Sequence, residues 1–276
     1  MCARALGRHF LVFGLIHFAC SLRIKSYNLN QFTSQDPAVD CVHSARNISL
    51  PKEFTICFRY KKLFNTNHGK HGLVFLGSAE NGNIDYGILF GIWYWSPWLA
   101  VAYQKTNWAG LGYNAEPSLL TWRHTCLVTS LRDGTFIMYE NGKSISKKKI
   151  KFYEELGEMY PNFTVPQIFV GCDPTKEYLQ SDPGIVTDFQ IFNGKLEENS
   201  LKDWTSCKER IEGDLLSWDT EEWVFNKTGN GSNIEYIDFH NDICLNKTSS
   251  YQLFPSNMNF KKTLDLCKKV GGRMNE

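Results

Sequence analysis

The sequence has no excess of either charge. Thirty Lys and Arg stand against 29 Asp and Glu, so nothing in the charge balance points to nucleic acid as a partner. His-Glu-X-X-His and Gly-X-Ser-X-Gly are both absent, and no catalytic constellation can be assembled from the remaining Ser, His and acidic residues. The chain therefore reads as a non-enzyme with no cofactor. Long charge-free runs are scarce. One, Tyr86 to Tyr103, approaches the length of a membrane helix. Its glycines, Pro97 and dense aromatics favour two buried strands joined at Ser96-Pro97, and a span there would cut the flanking β pattern in two. No membrane span is expected.

The chain opens with Arg4 and Arg8, then apolar Phe10 to Ile16, then small Ala19, Cys20 and Ser21. Basic, apolar, small is the order of a secretory signal peptide. Residues 1–21 are set aside on that ground, which takes the net charge from +1 to −1. Seven cysteines remain: Cys41, Cys57, Cys126, Cys172, Cys207, Cys244 and Cys267. Most should be bridged in a secreted chain, and an odd count leaves one free or paired elsewhere. Glycosylation sequons stand at Asn47, Asn162, Asn226, Asn230 and Asn246. The expected location is secreted, or on the outer side of the plasma membrane.

The stretch Leu120 to Lys143 carries the fold class. Apolar runs at Trp122–Leu131 and Phe136–Tyr139 flank Arg132-Asp133-Gly134, and Asn141-Gly142 follows. Asn-Gly supplies the positive φ angles of a type I′ hairpin turn. Phe54 to Tyr60 alternates with period two, as a half-buried strand does. Leu73–Leu76, Ile88–Ile92, Trp98–Tyr103, Gln167–Val170, Gly184–Phe192 and Leu215–Trp218 read as further strands. One short helix is expected around Glu198 to Trp204. Many short strands separated by turn signals mean a β-sandwich or barrel. Cys57 and Cys126 each sit mid-strand; a bridge between them would close a long loop and contribute roughly 4 kcal/mol.

Trp122-X-His124-X-Cys126, the strand ending Asn141-Gly142-Lys143, then Phe169-Val170-Gly171, Asp188 to Leu196 and Leu215-Leu216-Ser217-Trp218 together resemble the pentraxin and laminin G-like group. The resemblance implies an all-β fold: a two-sheet antiparallel jelly-roll sandwich of the concanavalin A-like kind, over residues 22–225. It also implies the Cys57–Cys126 bridge. Cys41 and Cys207 bracket this sandwich, whose ends usually meet, and are expected to pair; Cys172 and Cys244 stay open. Val128 and Thr129 depart from the pentraxin signature, which makes this a divergent member. Pentraxins hold calcium with an Asp-Asn pair and a Glu-Gln-Asp run. Here those positions read Lys70-His71 and Cys172-Asp173-Pro174. Only Asp173 supplies a carboxylate, too few for a cation that wants six or more oxygens. Asp85 and Asp173 are weak candidates for a laminin G-like metal site, and solvated loop acids are the preferred reading. The Glu-X-Asp-X-(X)-Glu run of jelly-roll glucanases is absent, which leaves a degenerate glycosidase as the least favoured reading.

Residues 226–240 are Gly- and Asn-rich with two sequons, which reads as a glycosylated linker. After it, Phe260, Thr263, Leu264 and Cys267 recur at helical spacing before Gly271-Gly272. Residues 241–276 resemble the entry to a C-type lectin domain, a short α/β fragment. Such a domain needs about 100 residues to bury a core, so this piece is expected to be incomplete.

Two surfaces are candidates for binding. Trp93, Trp95 and Trp98 belong to an aromatic set that could stack on sugars, although large aromatics are mostly core. Lys147, Lys148 and Lys149 form a basic strip that could meet sulfated glycans or acidic lipid heads; the plainer reading is an edge strand protected by lysines. The expectation is an extracellular module that recognises a glycan or an extracellular protein, as part of a larger protein. A structural spacer or oligomerisation module is the alternative.

Overall fold

A computed structural model describes residues 22–29, 41–62, 70–77, 88–95, 98–103, 107–114, 121–151, 154, 162–165, 167–171, 184–226 and 233–244. Its strands are β1 (Arg23–Leu29), β2 (Cys41–Ser44), β3 (Ile48–Pro51), β4 (Glu53–Lys62), β5 (Lys70–Gly77), β6 (Ile88–Trp95), β7 (Trp98–Tyr103), β8 (Asn107–Asn114) and β9 (Trp122–Ser130). There follow β10 (Thr135–Glu140), β11 (Lys143–Lys149), β12 (Asn162–Val165), β13 (Gln167–Val170), β14 (Gly184–Asn193), β15 (Leu216–Ser217), β16 (Trp223–Asn226) and β17 (Asn233–Asp238). Helix α1 covers Glu198–Thr205, and a π-helical turn covers Phe239–Cys244. The first sheet runs β11-β10-β9-β4-β14-β1-β17, with β15 beside β14; the second runs β16-β2-β13-β5-β6-β7-β8. All pairings are antiparallel, and the expected all-β sandwich is what the chain forms. The charge-free stretch is the β6–β7 pair, and no helix among the described residues is long and apolar enough to cross a membrane.

The main core lies between the sheets. Phe54, Ile56, Phe58 and Tyr60 reach it from β4, and Val74, Leu76, Ile168 and Val170 from the second sheet. The alternate residues of β4 meet a second layer. On that outer face Cys57, Cys126, Val128, Tyr139 and Phe192 pack under Leu201 and Trp204 of α1. So β4 is buried on both faces from Phe54 to Tyr60, where alternation alone implied a half-exposed strand. The helix supplies the cover that a period-two pattern cannot reveal.

Cys57 and Cys126 stand directly opposite each other in the β4–β9 register and are bridged, with Cα atoms 4.1 Å apart. Asn141 and Gly142 have φ of 47° and 79°, as a type I′ turn requires. This turn also seats the helix: the Gly142 N–H donates to Thr205 Oγ1 at 3.0 Å.

Two expectations need correction. Cys207 does not pair with Cys41; it is bridged to Cys244. Cys41 begins β2 in the second sheet, whereas Cys207 follows α1 on the outer face of the first, so the sandwich separates them. The linker is also shorter than expected. Residues 233–238 form β17, which pairs with β1 from Asn28↔Asn233 to Arg23↔Asp238, and the turn after it buries Phe239 and Ile243. Residues through Cys244 therefore belong to the jelly roll. Polar composition suggested a linker, but Ile237 packs against the core and, with Phe239 and Ile243, anchors this segment at the sheet edge. Residues 1–21, read as a signal peptide, and residues 245–276 of the segment that resembles a C-type lectin domain lie outside the described residues.

Candidate functional site

The outer face of the first sheet carries a buried charge layer beneath α1. Arg59 of β4 is 0 % exposed, as is Asp188 of β14. Arg59 Nε donates to Asp188 Oδ2 at 2.7 Å, and Nη2 donates to the Trp204 carbonyl at 3.2 Å. The guanidinium lies 3.9 Å from the centre of the Trp204 ring and 4.8 Å from that of Phe239. Arg210 Nε and Gln190 Nε2 each donate to Asp188 Oδ1 at 2.9 Å. Arg210 continues to Asp219.

A bulge aims the carboxylate. Thr187 faces Arg59 and Gln190 faces Cys57, so Asp188 and Phe189 together oppose the single residue Phe58. The extra residue turns the chain, and Asp188 takes a φ of 52°, a conformation Asp tolerates better than most residues. Phe189 thereby stays in the core while Asp188 points to the cations. Burial alone would raise the Asp188 pKa, but Arg59 and Arg210 hold its carboxyl below the usual range.

Arg59 Nη1 lies 2.6 Å from His124 Nδ1. Guanidinium has donors only, so Nδ1 is the acceptor and the imidazole proton sits on Nε2. That nitrogen is 3.8 Å from Cys207 Sγ. Burial first, then the Arg59 charge, lowers the His124 pKa to about 3. The ring is therefore neutral at physiological pH. This closed layer fastens α1 and the Phe239 turn to the sheet. Among the described residues, no group of three or more His, Cys, Asp or Glu is placed to hold a metal ion.

The exposed counterpart is β11, the free edge of the first sheet. Among the described residues it pairs with β10 alone, with Lys148 across from Phe136, Lys147 from Ile137 and Lys149 from Thr135. Lys143, Lys147, Lys148 and Lys149 are all exposed. Three other surface lysines are ion-paired: Lys195 with Glu53 at 3.0 Å, Lys202 with Glu198 at 2.7 Å and Lys208 with Asp203 at 3.1 Å. Lys149 meets Glu154 at 3.5 Å. Among the described residues, no ion pair engages Lys143, Lys147 or Lys148.

The register places Trp95 opposite Trp98, and Trp93 two residues before Trp95. Ile92 pairs with the buried Val74. The surroundings of these rings lie outside the described part, as do Asp85, Asp173, Asn230 and Asn246. Asn47 is exposed in the bend between β2 and β3; Asn162 opens β12 and Asn226 ends β16.

Arg59, Asp188, Gln190 and Arg210 were not singled out in the sequence. The available signal was polar residues spaced by two, Asp188 and Gln190, inside an otherwise apolar strand.

No family model and no curated protein matches the sequence. Solved structures do. The native heptameric SAP-like pentraxin of Limulus polyphemus matches with a TM-score of 0.58 and 17% identity, covering 78% of this chain and 95% of that one. The full extracellular region of zebrafish Gpr126/Adgrg6 matches at 0.52 and 14%, covering 77% of this chain and 26% of that one. A Ruminococcus gnavus sialidase module, CBM40, shows a weaker likeness at 0.44 and 14% over 56% of this chain. At such identities the likeness concerns the fold, and the chain carries a concanavalin A-like jelly-roll domain of the kind seen in the pentraxin.

Proposed function

We propose that this chain is an extracellular recognition module that binds a polyanionic glycan along β11, and that it is not an enzyme. The observation that carries the reading is a contrast among the exposed lysines: Lys143, Lys147 and Lys148 stand on one edge strand without ion pairs among the described residues, while Lys195, Lys202 and Lys208 have acidic partners. Lys147 and Lys148 are neighbours on the strand and point to opposite faces of this edge, so an anionic chain lying along the edge can meet both. The location is supported by two disulfides, which persist in oxidising compartments, and by five sequons.

The test uses a heparin column and a glycan array, with Lys143→Gln/Lys147→Gln/Lys148→Gln beside the parent. All three sites are exposed, so the variant should melt with the parent. Each lost contact weakens binding by about 1 kcal/mol in water, so affinity should fall at least tenfold and the salt dependence should flatten. Equal retention of both proteins removes β11 as the site. If the parent binds no glycan at all, the spacer reading takes over. A second reading, stacking of sugars on Trp93, Trp95 and Trp98, is favoured by the register, which sets Trp95 opposite Trp98 with Trp93 two residues away; it predicts binding to neutral glycans that salt does not weaken.

A further inference from the structure

We propose that the Cys207–Cys244 bridge is a thiol–disulfide exchange site whose opening by an external thiol releases edge strand β17. The two bridges among the described residues sit in opposite environments. Cys57 and Cys126 are fully buried mid-sheet. Cys207 and Cys244 are only partly buried, and Cys207 stands at φ 63° just after α1.

The sulfur of Cys207 has two N–H groups aimed at it. Arg59 Nη1 is 3.1 Å away and the His124 Nε2–H is 3.8 Å away. The unfavourable end of the helix is blunted: the Trp204 carbonyl accepts from both the Cys207 N–H and Arg59 Nη2. Other charges on these elements are Lys208, paired with Asp203 at 3.1 Å, and Glu209, which follow Cys207 in the chain; Asp188 and Arg210 behind Arg59; and Asp242, which acts on Lys61. A leaving thiolate at Cys207 is thus received by a guanidinium and a neutral imidazole N–H, and a better-stabilised leaving thiolate departs faster.

In the exchange, an external thiolate attacks Cys244 Sγ, forming a mixed disulfide as the bond to Cys207 Sγ breaks and Cys207 leaves as thiolate. A second external thiol then resolves the mixed disulfide. The bridge gains two electrons and two protons, and two external thiols become one disulfide. With the bridge open, β17 loses its covalent tie to the end of α1 and keeps its non-covalent ones, among them the pairing to β1, the Phe239 N–H bond to the Leu22 carbonyl and the burial of Phe239 and Ile243.

Three measurements decide this. The folded chain is titrated with reduced glutathione, quenched by alkylation and peptide-mapped. Cys207 and Cys244 should label at thiol concentrations at least tenfold below those that label Cys57 and Cys126; simultaneous labelling overturns the assignment. Two variants then read the sulfur directly with the Cys57–Cys126 bridge intact. In Cys244→Ser, the Cys207 thiol should titrate below the ordinary value of about 8.5, and below the Cys244 thiol in Cys207→Ser. A Cys207 thiol at or above the ordinary value refutes the role of Arg59 and His124. Amide exchange of 233–238 should quicken on reduction while β4 and β9 hold; an unchanged β17 refutes the release.

Discussion

Acid should loosen this jelly roll through one imidazole. His124 is 7 % exposed and keeps its neutral form in the folded chain down to about pH 3. In the unfolded chain it takes a proton near its ordinary pKa of 6.5. Between those values the unfolded state binds the extra proton, so stability falls as pH falls. The contribution is fully present above pH 6.5 and is lost progressively toward pH 3. Each pH unit in that window costs about 1.4 kcal/mol, so at pH 5.0 the loss from His124 alone is about 2 kcal/mol. The perturbation is His124→Gln, whose side-chain oxygen can still accept from Arg59 but does not titrate. Urea unfolding at pH 7.5 and at 5.0 gives the loss for each protein, and other titrating groups cancel in the difference. The parent should lose about 2 kcal/mol more than the variant. Parallel pH dependence in the two proteins would mean that the His124 proton is not the linked one, and that the Arg59–His124 geometry has been misread.

Two more outcomes follow from the same face and from the calcium positions. Asp188→Asn keeps the shape and the tolerance for positive φ but leaves Arg59 buried without its anion; it should lower stability by about 3–5 kcal/mol in urea unfolding, and a loss under 1 kcal/mol would show the pair to be solvated. The melting temperature of the whole chain should be the same in millimolar calcium and in chelator, because Asp173 stands alone at the pentraxin positions; a calcium-dependent rise of several degrees, abolished by Asp173→Ala, would place a metal site there.

Much of the sandwich was legible because its strands alternate or are wholly apolar. β7, β10 and β13 fall where the sequence placed them, and α1 differs from its expected span by one residue. Strands with mixed composition were not legible. Arg23-Ile-Lys-Ser-Tyr-Asn-Leu29 has no clean period, yet it sits between β14 and β17 with Tyr27 and Leu29 fully buried. Its strand character comes from neighbours far along the chain. The charge layer escaped for a related reason. A polar residue on a strand is assigned to water unless something covers it, and what covers Arg59 is a helix and a turn that begin 139 and 180 positions later. The Cys207–Cys244 bridge needed the knowledge that the last strand returns to the first.

That return has a consequence for the order in which the molecule can be made. β1 is the earliest strand of the domain, and its edge partner is its last, so Asn28 must wait for Asn233. At a synthesis rate of roughly 5–20 residues per second, about 200 intervening residues take on the order of 10–40 seconds. Through that interval Arg23–Leu29 waits first for β14 and then, with one side paired, for β17, while β4, β9 and β10 can already associate and oxidise Cys57 with Cys126. The second bridge then records completion: Cys207 finds Cys244 only after the polypeptide has come full circle. A chain interrupted before residue 233 would leave β1 as a raw margin, open to the corresponding strand of any neighbour emerging beside it.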